Sequence, residues 1–365
     1  MCSPSHKIIT ALLVGVFATT SCKKAAESFR IISPGDIVSL NNAEIADFID
    51  DYYFGKSLEY IDKSKGDRYF PNSVGIKWNG VCGDYELTVS LSEDFSNAVT
   101  YNGEGSGAPI DGLFTGKTYF CKVKSSKDGK ESEVKRFATE RGPRTVKIDG
   151  VSNTRDIGGY PTGDKEIKQG MVYRGATPEK ITAGGLKEFS ALGIKTVIDL
   201  RERSSRNENM PGINYIDLPE KGGPCYARGD RNLSEEPFTS ALVQSVKVFA
   251  DESNYPIYFH CQIGRDRTGT LAFIINGLLG ADDKDLALDY ELSCFSAAGC
   301  VDYDDKNKQI DDMTTNFNGM KAYFIKYSQM KGLSSATVQS GIEAFLIDNG
   351  VTAEEITKIK EILLD

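Results

Sequence analysis

The chain has 365 residues, of which 40% are hydrophobic and 26% charged, and its formal net charge is −9 at pH 7. This length exceeds that of a usual single domain, so we expect two domains. The acidic balance argues against a nucleic-acid partner. Only two histidines occur, His6 and His260. Their scarcity nearly excludes a histidine-ligated metal site, and their positions exclude a cysteine–histidine protease dyad.

The first 22 residues are typical of a secretory signal peptide. Lys7 precedes an apolar run over residues 8–18 that is too short to span a membrane, and small residues then lead to Cys22. The arrangement resembles a bacterial lipoprotein site at which Cys22 is lipidated; plain cleavage is the alternative. We therefore expect an exported protein, periplasmic or on the outer surface, held to a membrane by a lipid anchor alone. Residues 23–34 are predicted to be a tether.

Residues 35–140 are predicted to form a separate all-β domain. Runs that alternate apolar and polar residues between turn signals favour half-buried strands: Val74–Trp78, Tyr85–Leu91, Thr118–Val123 and Glu133–Phe137. The single tryptophan, an Asp-Phe-Ser turn and a Gly-Lys-Thr-Tyr-Phe strand start resemble a fibronectin type III or immunoglobulin-like sandwich. Residues 43–63 are compatible with either a helix or two early strands. We find no catalytic constellation in this domain, so we expect a spacer, a binding module or a plain scaffold.

Residues 141–365 are predicted to form an α/β domain, and the first four of them, 141–144, are its linker. A Gly-rich turn, a helix, a strand and a second helix occur in turn at residues 153–160, 182–192, 194–200 and 237–250, with Gly193 ending the first helix. This alternation favours a central, mainly parallel sheet flanked by helices. Charged residues 202–209 are predicted to form a loop over the site. Further helices are expected at residues 282–293, 313–330 and about 335–348, and a last one is capped by Thr352 and Glu355.

One stretch of this domain predicts a binding site. An apolar run at residues 255–259 indicates a buried strand, and another at residues 271–279 indicates a buried helix that stops near Gly280. Residues 260–269 therefore connect a strand to the N-terminus of a helix. A loop in this place directs backbone N–H groups inward, and the helix dipole adds partial positive charge. The sequence thus predicts a cradle for an anion.

Four residues of this stretch give the cradle its chemistry. Cys261 opens the loop and Arg267 closes it, and a cysteine that faces a helix N-terminus and a guanidinium is expected to have a lowered pKa. Arg267 offers a planar fork for two oxygens of a phosphoryl group. Gly264 permits a sharp turn close to a ligand. Thr268 is expected to hydrogen-bond the sulfur of Cys261. These are the parts of phosphoryl transfer to a cysteine.

The Cys-x5-Arg-Thr-Gly pattern of residues 261–269 resembles the signature of the protein tyrosine phosphatase superfamily. The fuller stretch, His-Cys-Gln-Ile-Gly-Arg-Asp-Arg-Thr-Gly, is similar to its bacterial tyrosine/dual-specificity branch. Two more motifs of that branch are present: Asn-Thr-Arg-Asp-Ile-Gly-Gly at residues 153–159, and a strand ending in Asp-Leu-Arg at residues 199–201. The resemblance covers residues 145–365. This sequence differs from the branch at Arg265, where the branch frequently has lysine. The positive charge is kept, but it is carried by a planar guanidinium instead of an ammonium group.

The resemblance implies which residues form the site. Those that would bind phosphate are Gln262, Ile263, Gly264, Arg265, Asp266 and Arg267. Those that would line or brace the pocket are His260, Asn153, Arg155, Asp156, Asp199 and Arg201. From the residues alone, Arg155 and Asp156 could equally form a surface ion pair. Asp199 and Arg201 also end a predicted central strand, where open α/β sheets bind ligands.

These parts predict hydrolysis of a phosphomonoester. The Cys261 thiolate attacks phosphorus in line, an acid protonates the leaving oxygen, and water then hydrolyses the cysteinyl-phosphate. Arg267 and backbone N–H groups stabilise the charge, so neither a metal nor another cofactor is needed. The resemblance implies Asp266 as the acid. Asp217 and Asp230 are the alternatives, since they precede the helix where other superfamily members carry a mobile acid loop.

The substrate class is less closely constrained. A phosphotyrosine or dual-specificity protein substrate is favoured. The first alternative is a phosphoinositide or inositol phosphate, for which Arg265 would supply extra basic charge. The second is a non-catalytic phosphate-binding surface lipoprotein, and the intact pair Cys261 and Arg267 argues against it, because a binder does not need a thiolate. The sequence indicates no oligomeric state.

The eight cysteines allow two disulfides in an exported protein. Cys82 and Cys121 lie on or beside predicted strands and could pair. Cys294 and Cys300 flank a predicted helix end and could pair as well. Cys225 is either a plain thiol or a resolving partner for the catalytic cysteine. Spacing alone does not choose among these connectivities.

Overall fold

A computed structural model of the chain describes residues 29–81, 83–201, 210–218, 233, 235–297 and 306–365, with backbone alone at residues 63, 217 and 306–315. The predicted signal peptide, the loop at residues 202–209 and three predicted features, Cys22, Cys225 and Asp230, lie outside the described residues. The chain divides into two compact units. The first contains the chain up to Asn42 and Pro71–Gly142, and the second contains Ala43–Phe70 and Pro143–Asp365.

The described regular elements of the first unit are strands. They are β1 (Arg30–Ser33), β2 (Ile37–Val38), β3 (Val74–Asn79), β4 (Gly83–Ser90), β5 (Val99–Gly105), β6 (Gly107–Ile110), β7 (Thr118–Ser125) and β8 (Lys135–Thr139). One sheet has the order β1-β3-β6 and the other β2-β8-β7-β4-β5, with all neighbours antiparallel except β2 and β8. The four predicted strands are confirmed. The fibronectin or immunoglobulin-like assignment stays a prediction.

Alternating burial explains why these strands form one core. Along β3 the inward residues are buried and the others are partly or fully exposed, as the two-residue period requires. Trp78 of β3 and Tyr85 of β4 meet edge to face, with ring centres 4.7 Å apart. The predicted tether at residues 23–34 is wrong at its C-terminal end, which the structure places in the first unit. Arg30–Ser33 is a strand because its backbone pairs with β3 and Ile31 packs against the core of this unit.

The predicted 35–140 domain needs a second correction, because residues 43–70 belong to the second unit. This segment contains helix α1 (Ala43–Ile49) and two short 3-10 helices, Lys56–Glu59 and Lys63–Lys65. Ile45 and Phe48 are fully buried in the core of the second unit. The ring of Phe48 meets that of Phe295, with centres 5.2 Å apart. The segment is therefore placed by apolar contacts with residues more than 200 positions away, and the early-strand alternative is wrong.

The rest of the second unit alternates strands and helices. The strands are β9 (Arg155–Asp156), β10 (Pro161–Thr162), β11 (Lys165–Glu166), β12 (Val172–Gly175), β13 (Thr196–Asp199), β14 (Asn214–Asp217) and β15 (Ile257–His260). The helices are α2 (Ala183–Ala191), α3 (Phe238–Val248), α4 (Asp266–Leu279), α5 (Asp283–Glu291), α6 (Lys306–Met330), α7 (Val338–Asp348) and α8 (Ala353–Leu363). The predicted helices of this domain are confirmed, with shifts of a few residues at their ends, except that α6 begins at Lys306 rather than at residue 313.

The central sheet has the order β14-β13-β15-β12-β9. The first four strands are parallel, and β9 runs antiparallel to β12, so the sheet is mixed. Strand β15 lies in the middle with all four residues buried, which is why its sequence is apolar rather than alternating. Helix α4 follows it, is buried over most of its length and ends at Gly280, whose φ is +95°. The predicted capping box of α8, Thr352 with Glu355, is confirmed.

Two expectations about cysteines and membranes can be compared with the described residues. Cys121 is a buried free thiol, so the suggested disulfide at this residue is not formed, and burial raises its pKa to about 12. The suggested partner of Cys294, Cys300, lies outside the described residues. In the part of the chain that the structure covers, we find no helix with the length and apolar character needed to cross a bilayer.

Candidate active site

The predicted loop joins the central strand to the central helix. Strand β15 ends at His260 and helix α4 begins at Asp266, and the chain between them reverses direction at the carboxyl end of the parallel strands. Cys261 follows the strand directly and is only 2% exposed. The neighbouring strands β12 and β13 end beside it, with Gly175 and Asp199 in register with His260. Ligands bind at this edge in open α/β sheets.

The carbonyl groups of the loop point away from its interior. Thr177 N donates to Gln262 O at 3.3 Å. Asn153 Nδ2 donates to Ile263 O at 3.2 Å and to Gly264 O at 3.0 Å. Arg174 Nη2 also donates to Gly264 O, at 2.9 Å. Each carbonyl is thus held by a donor from the surrounding structure, which fixes the orientation of the peptide planes.

The opposite sides of these peptides form the cradle. The backbone N–H groups of residues 262–264, 266 and 267 donate no hydrogen bond to any described residue. They lie in the loop and in the first turn of α4, where helix N–H groups lack an intrahelical acceptor. Together with the helix dipole, such groups bind anions. In the predicted phosphate-binding segment, Gln262 to Arg267, these N–H groups are therefore available to an anion.

Gly264 is the turning point of the loop. Its φ is +72°, and a Cβ built there would lie 2.4 Å from the carbonyl carbon of Gly175. Both facts require glycine, since the left-handed conformation is unfavourable for other residues and no atom fits in the space. The predicted role of Gly264 in the turn is confirmed.

Arg267 and Thr268 lie in the first turn of α4. Arg267 is half-buried, and its Nη1 donates to Leu200 O at 3.3 Å, so the guanidinium is held beside the end of β13. Thr268 is fully buried, and its Oγ1 has no hydrogen-bond partner among the described residues. The predicted bond from Thr268 to the sulfur of Cys261 is therefore not formed. The helix places this hydroxyl in the interior but leaves it unsatisfied, which is uncommon and typical of functional sites.

Arg265 and Asp266 engage each other at the end of the loop. Arg265 Nε lies 3.0 Å from Asp266 Oδ1, and the aspartate side chain is 27% exposed. The guanidinium predicted to contact phosphate is thus partly neutralised by the predicted acid. Of the alternative acids, Asp217 ends strand β14 with its side chain undescribed, and Asp230 is outside the described residues. The identity of the acid stays a prediction.

The end of β13 supports the loop from one side. Asp199 accepts hydrogen bonds from three donor atoms of Arg201, from N at 3.0 Å, from Nε at 2.9 Å to Oδ1 and 3.2 Å to Oδ2, and from Nη2 at 2.7 Å. Arg201 also contacts Glu179, and its Nη1 lies 3.4 Å from Gln262 Oε1 in the loop. The structure therefore brings the two predicted support residues together. Glu179 was not predicted, because its motif is a bare Pro-Glu-Lys turn with no site signal.

His260 supports the loop from within the sheet. Its Nδ1 lies 3.1 Å from Cys261 O, and its Nε2 lies 3.9 Å from Asp199 Oδ2. Complete burial lowers the pKa of His260 below the usual 6.5, although Asp199 acts in the opposite direction. The imidazole is therefore neutral at pH 7 and serves as a packed, hydrogen-bonding group beside Cys261 rather than as a charge.

A buried network braces the loop from the other side. Arg155 Nε donates to Asp289 Oδ1 at 2.9 Å, and Arg155 Nη1 donates to Asn153 Oδ1 at 2.6 Å. Arg174 Nη1 contacts the other oxygen of Asp289. Asn153 is held at a φ of +59°, which turns its amide toward the loop. The predicted support role of Asn153 and Arg155 agrees with this placement, and the alternative of a surface ion pair is wrong because Arg155 is 2% exposed.

Sequence reasoning missed Arg174 and Asp289. Both carry a signal in retrospect, since Arg174 interrupts the buried strand Val172–Gly175 and Asp289 lies in a fully buried run of α5. A charge in such a place requires a partner. Burial would raise the pKa of Asp289, but Arg174 and Arg155 hold it below its usual value. Burial and the neighbouring Arg155 lower the pKa of Arg174 to about 10.

Asp156 is the one predicted pocket residue that the structure places elsewhere. It is fully buried, accepts from Arg144 Nη1 at 2.8 Å, and accepts from the backbone N–H groups of Gly158 at 2.8 Å and Gly170 at 2.6 Å. Burial raises its pKa, against the effect of Arg144. Successive residues of β9 point to opposite sides, so Arg155 faces the loop network and Asp156 faces away from it. Its role is to fix the Gly-rich turn.

No group of three or more His, Cys, Asp or Glu side chains suited to a metal ion occurs among the residues that the structure describes. The described site combines Cys261 after the end of β15, the N-terminus of α4, and the guanidinium groups of Arg201, Arg265 and Arg267. This set can bind a tetrahedral oxyanion and present a sulfur nucleophile to it.

Comparison with known proteins gives the family. The model of the tyrosine phosphatase family matches residues 146–365. A protein of Cupriavidus necator named "Putative tyrosine-protein phosphatase H16_A0669" is 25% identical in an alignment of 176 positions that covers 42% of this chain and 64% of that protein. The chain thus matches less than two thirds of the relative's length.

Two solved structures of the Siw14 catalytic core also match. One is the core catalytic domain of the PP-IP phosphatase SIW14 from S. cerevisiae in complex with citrate, with a TM-score of 0.27, 20% identity and 38% of this chain and 85% of that chain covered. The other has a TM-score of 0.28, 20% identity and coverages of 41% and 91%. Similarities this low say nothing about what the chain binds. The family model, in contrast, spans more than half of the chain, which therefore belongs to the tyrosine phosphatase family.

Proposed function

We propose that this protein is a cysteine-dependent phosphomonoester phosphatase that acts on phosphotyrosine or dual-specificity protein substrates through a cysteinyl-phosphate. One observation carries the proposal. The carbonyl groups of Gln262, Ile263 and Gly264 are hydrogen-bonded to donors outside the loop. The backbone N–H groups of the loop after Cys261 are therefore left to bind a phosphoryl group. A preorganised row of donors costs no reorganisation when charge develops on the transferred group. Membership of the tyrosine phosphatase family supports the same conclusion.

The proposed chemistry has two steps. In the first, the sulfur of Cys261 attacks phosphorus, the S–P bond forms, the bond from phosphorus to the ester oxygen breaks, and an acid gives its proton to that oxygen. In the second, water attacks phosphorus and loses a proton to the same carboxylate, the S–P bond breaks, and the products are inorganic phosphate and the free thiolate. Arg267 and the loop N–H groups hold the equatorial oxygens in both steps.

Asp266 is the proposed acid. It is the first residue of α4 and belongs to the loop itself, so it lies close to any bound phosphoryl group. Its carboxylate contacts Arg265, which would have to release it during the reaction. The same contact weighs against the phosphoinositide alternative. A polyanionic substrate would need the charge of Arg265, and Asp266 already neutralises part of it.

The decisive experiment compares the reduced native protein with Cys261→Ser. Phosphate release is measured from a phosphotyrosine peptide, a phosphoserine peptide and a phosphoinositide. We expect release from the phosphotyrosine peptide and a loss of at least about 10³-fold in the variant, because the nucleophile is removed while binding groups remain. Cys121→Ser is the matched control, since it replaces another buried cysteine that lies in the first unit, and we expect native activity from it.

Two outcomes would contradict the proposal. Activity that survives in Cys261→Ser would exclude the cysteine mechanism, and no release from a folded, reduced native protein would favour the non-catalytic phosphate-binding alternative. Faster release from the phosphoinositide than from either peptide would keep the cysteine mechanism but assign the protein a phosphoinositide substrate. Asp266→Asn and Asp217→Asn are assayed beside the native protein to identify the acid. Loss of the acid slows hydrolysis of substrates with poor leaving groups more than hydrolysis of those with good ones, and the variant that shows this difference has lost it.

A further inference from the structure

The network behind the loop contains a carboxylate that no step of the proposed chemistry uses. Asp289 lies on α5, is 4% exposed and contacts two arginines with its two oxygens. Arg155 and Arg174 come from two neighbouring strands of the sheet, β9 and β12. One side chain therefore joins two strands and a helix at a point where burying three charges is expensive.

Both arginines lead from Asp289 to the carbonyls of the loop. Arg174 makes the direct connection, since its Nη2 donates to Gly264 O at 2.9 Å. Arg155 makes an indirect one through Asn153, whose amide oxygen accepts from Arg155 and whose amide nitrogen donates to Ile263 O and Gly264 O. The bond from Arg155 also fixes which end of the Asn153 amide is the oxygen, and so which end is the donor.

The hydroxyl of Ser293 completes the same arrangement. It lies 3.2 Å from Asn153 Nδ2 and 3.4 Å from Arg155 Nη2. Arg155 Nη2 also donates to the backbone carbonyl of Asp289 at 2.6 Å. Helix α5 contacts both arginines through Asp289, and the 3-10 helix Leu292–Phe295 that follows it contacts Arg155 and Asn153 through Ser293. A shift of these helices would therefore move the loop carbonyls with them.

The charge balance depends on Asp289. Two guanidinium groups lie in one buried region, and they repel each other strongly at low dielectric unless an anion lies between them. Asp289 is that anion, bonded to both. If the charge were removed, the two arginines would separate, and Gly264 O and the Asn153 amide would lose their fixed donors.

We propose that Asp289 is a positioning residue of the phosphate loop. It holds Arg174, Arg155 and Asn153 so that they bind the loop carbonyls from behind, and the N–H groups on the opposite sides of the same peptides then face the oxyanion. The inference rests on the proposed function only for the identity of that anion as a phosphoryl group. Asp289 touches no reacting atom, so its effect passes entirely through the orientation of the loop.

The chain provides a matched control in Asp156. It is also a fully buried aspartate bonded to a buried arginine, Arg144, but its other partners are Gly158 and Gly170 rather than the loop network. Asp289→Asn and Asp156→Asn each remove one buried negative charge from beside an arginine. A role confined to stability would make the two variants alike, and a positioning role would not.

The experiment measures oxyanion binding separately from turnover. Tungstate, a tetrahedral oxyanion, is titrated calorimetrically into the full chain at a temperature where circular dichroism shows each variant folded. We expect Asp289→Asn to raise the tungstate dissociation constant by at least about ten-fold and Asp156→Asn to change it by less than about two-fold, although both lower the melting temperature. Hydrolysis of p-nitrophenyl phosphate should show the same order in kcat/KM.

If Asp289→Asn does not fold, Asn153→Asp tests the indirect connection, which runs from Asp289 through Arg155 and Asn153 to the loop carbonyls. It keeps a residue that tolerates positive φ, but it replaces the donor that faces Ile263 O and Gly264 O by a second acceptor. We expect tungstate affinity to fall about ten-fold here too. Equal affinities in Asp289→Asn and Asp156→Asn, or native affinity in a folded Asn153→Asp, would overturn the proposal. Absence of turnover in the native protein together with the expected binding differences would refute the phosphatase function and leave the positioning role standing.

Discussion

Gly264 shows how strictly the phosphate loop constrains a single residue. We predict that Gly264→Ala costs about 2–4 kcal/mol of unfolding free energy, since the positive φ is unfavourable for alanine and the new methyl group would overlap the backbone at Gly175. Because the overlap lies inside the loop, phosphatase activity should fall by at least about 100-fold. Urea unfolding and hydrolysis of a phosphotyrosine peptide measure the two effects.

Gly163→Ala separates strain from overlap. Gly163 has a φ of +67°, close to that of Gly264, but a Cβ there meets no atom within 4 Å. It lies in the turn of the β10–β11 hairpin, away from the loop. This variant should lose about 1 kcal/mol of stability and keep its activity. If Gly264→Ala also lost only about 1 kcal/mol of stability and kept its activity, the close approach of the loop to Gly175 would not be needed for function.

The residues of the loop could be predicted from the sequence, whereas two of the residues that brace it, Arg174 and Asp289, could not. Cys261, Gly264 and Arg267 are local in sequence, and a strand before them and a helix after them fix their geometry. Asp289 lies 115 positions from Arg174, and nothing local indicates that two buried charges of opposite sign meet. Asp156 was misplaced for a related reason, since its partner Arg144 lies across a turn whose conformation the sequence does not reveal.

Among the elements, the segment at residues 43–70 depends most on distant partners. Glu291 at the end of α5 is buried and accepts from Tyr52 Oη at 2.6 Å, from Gly55 N at 2.7 Å and from Ser57 Oγ at 3.1 Å. Burial raises the pKa of Glu291, although these three donors act in the opposite direction. The segment is thus attached to the second unit by a charged group as well as by apolar packing. Its pattern alone left helix and strands equally open.

We predict that Tyr52→Phe destabilises the protein by about 1.5–3 kcal/mol, because it removes a hydrogen bond to a buried carboxylate and leaves that carboxylate less well solvated. The adjacent Tyr53 provides the control. Its hydroxyl contacts Glu59, but its side chain is 53% exposed, so Tyr53→Phe should change the stability by less than about 0.5 kcal/mol. Equal effects of the two substitutions in urea unfolding would show that Glu291 does not anchor the segment.

At the scale of the whole molecule, the order of the units along the chain leads to a prediction. The second unit begins at Ala43, is interrupted after Phe70 and resumes at Pro143. Lys147, four residues after Pro143, has its Nζ 5.9 Å from the ring centre of Phe70, so the two ends of the interruption lie within a few residues of a shared contact. A flexible Gly/Ser linker of about twenty residues, with a span of roughly 25 Å, is therefore long enough to replace residues 71–142. We expect such a protein to fold and to keep its activity within about two-fold.

A protein that starts at Pro143 should behave differently. It retains the stretch matched by the family model but lacks the segment that covers Phe295 and Glu291. Exposed apolar surface and a carboxylate without its donors should make it unfold at a clearly lower urea concentration and aggregate. Denaturation midpoints of the two shortened proteins and the full chain give the comparison. Equal midpoints would show that residues 43–70 are dispensable to the second unit.

The interrupted order also sets a timetable for synthesis. Helix α1, which carries Ile45 and Phe48, leaves the ribosome before α5, which begins 240 residues later, at Asp283 against Ala43. At about 5–20 residues per second, α1 is made roughly 12–50 s before its partner. The β unit is finished within that interval. During that interval the apolar residues of α1 have no partner in the nascent chain. Exposed apolar segments of this kind are what chaperones bind.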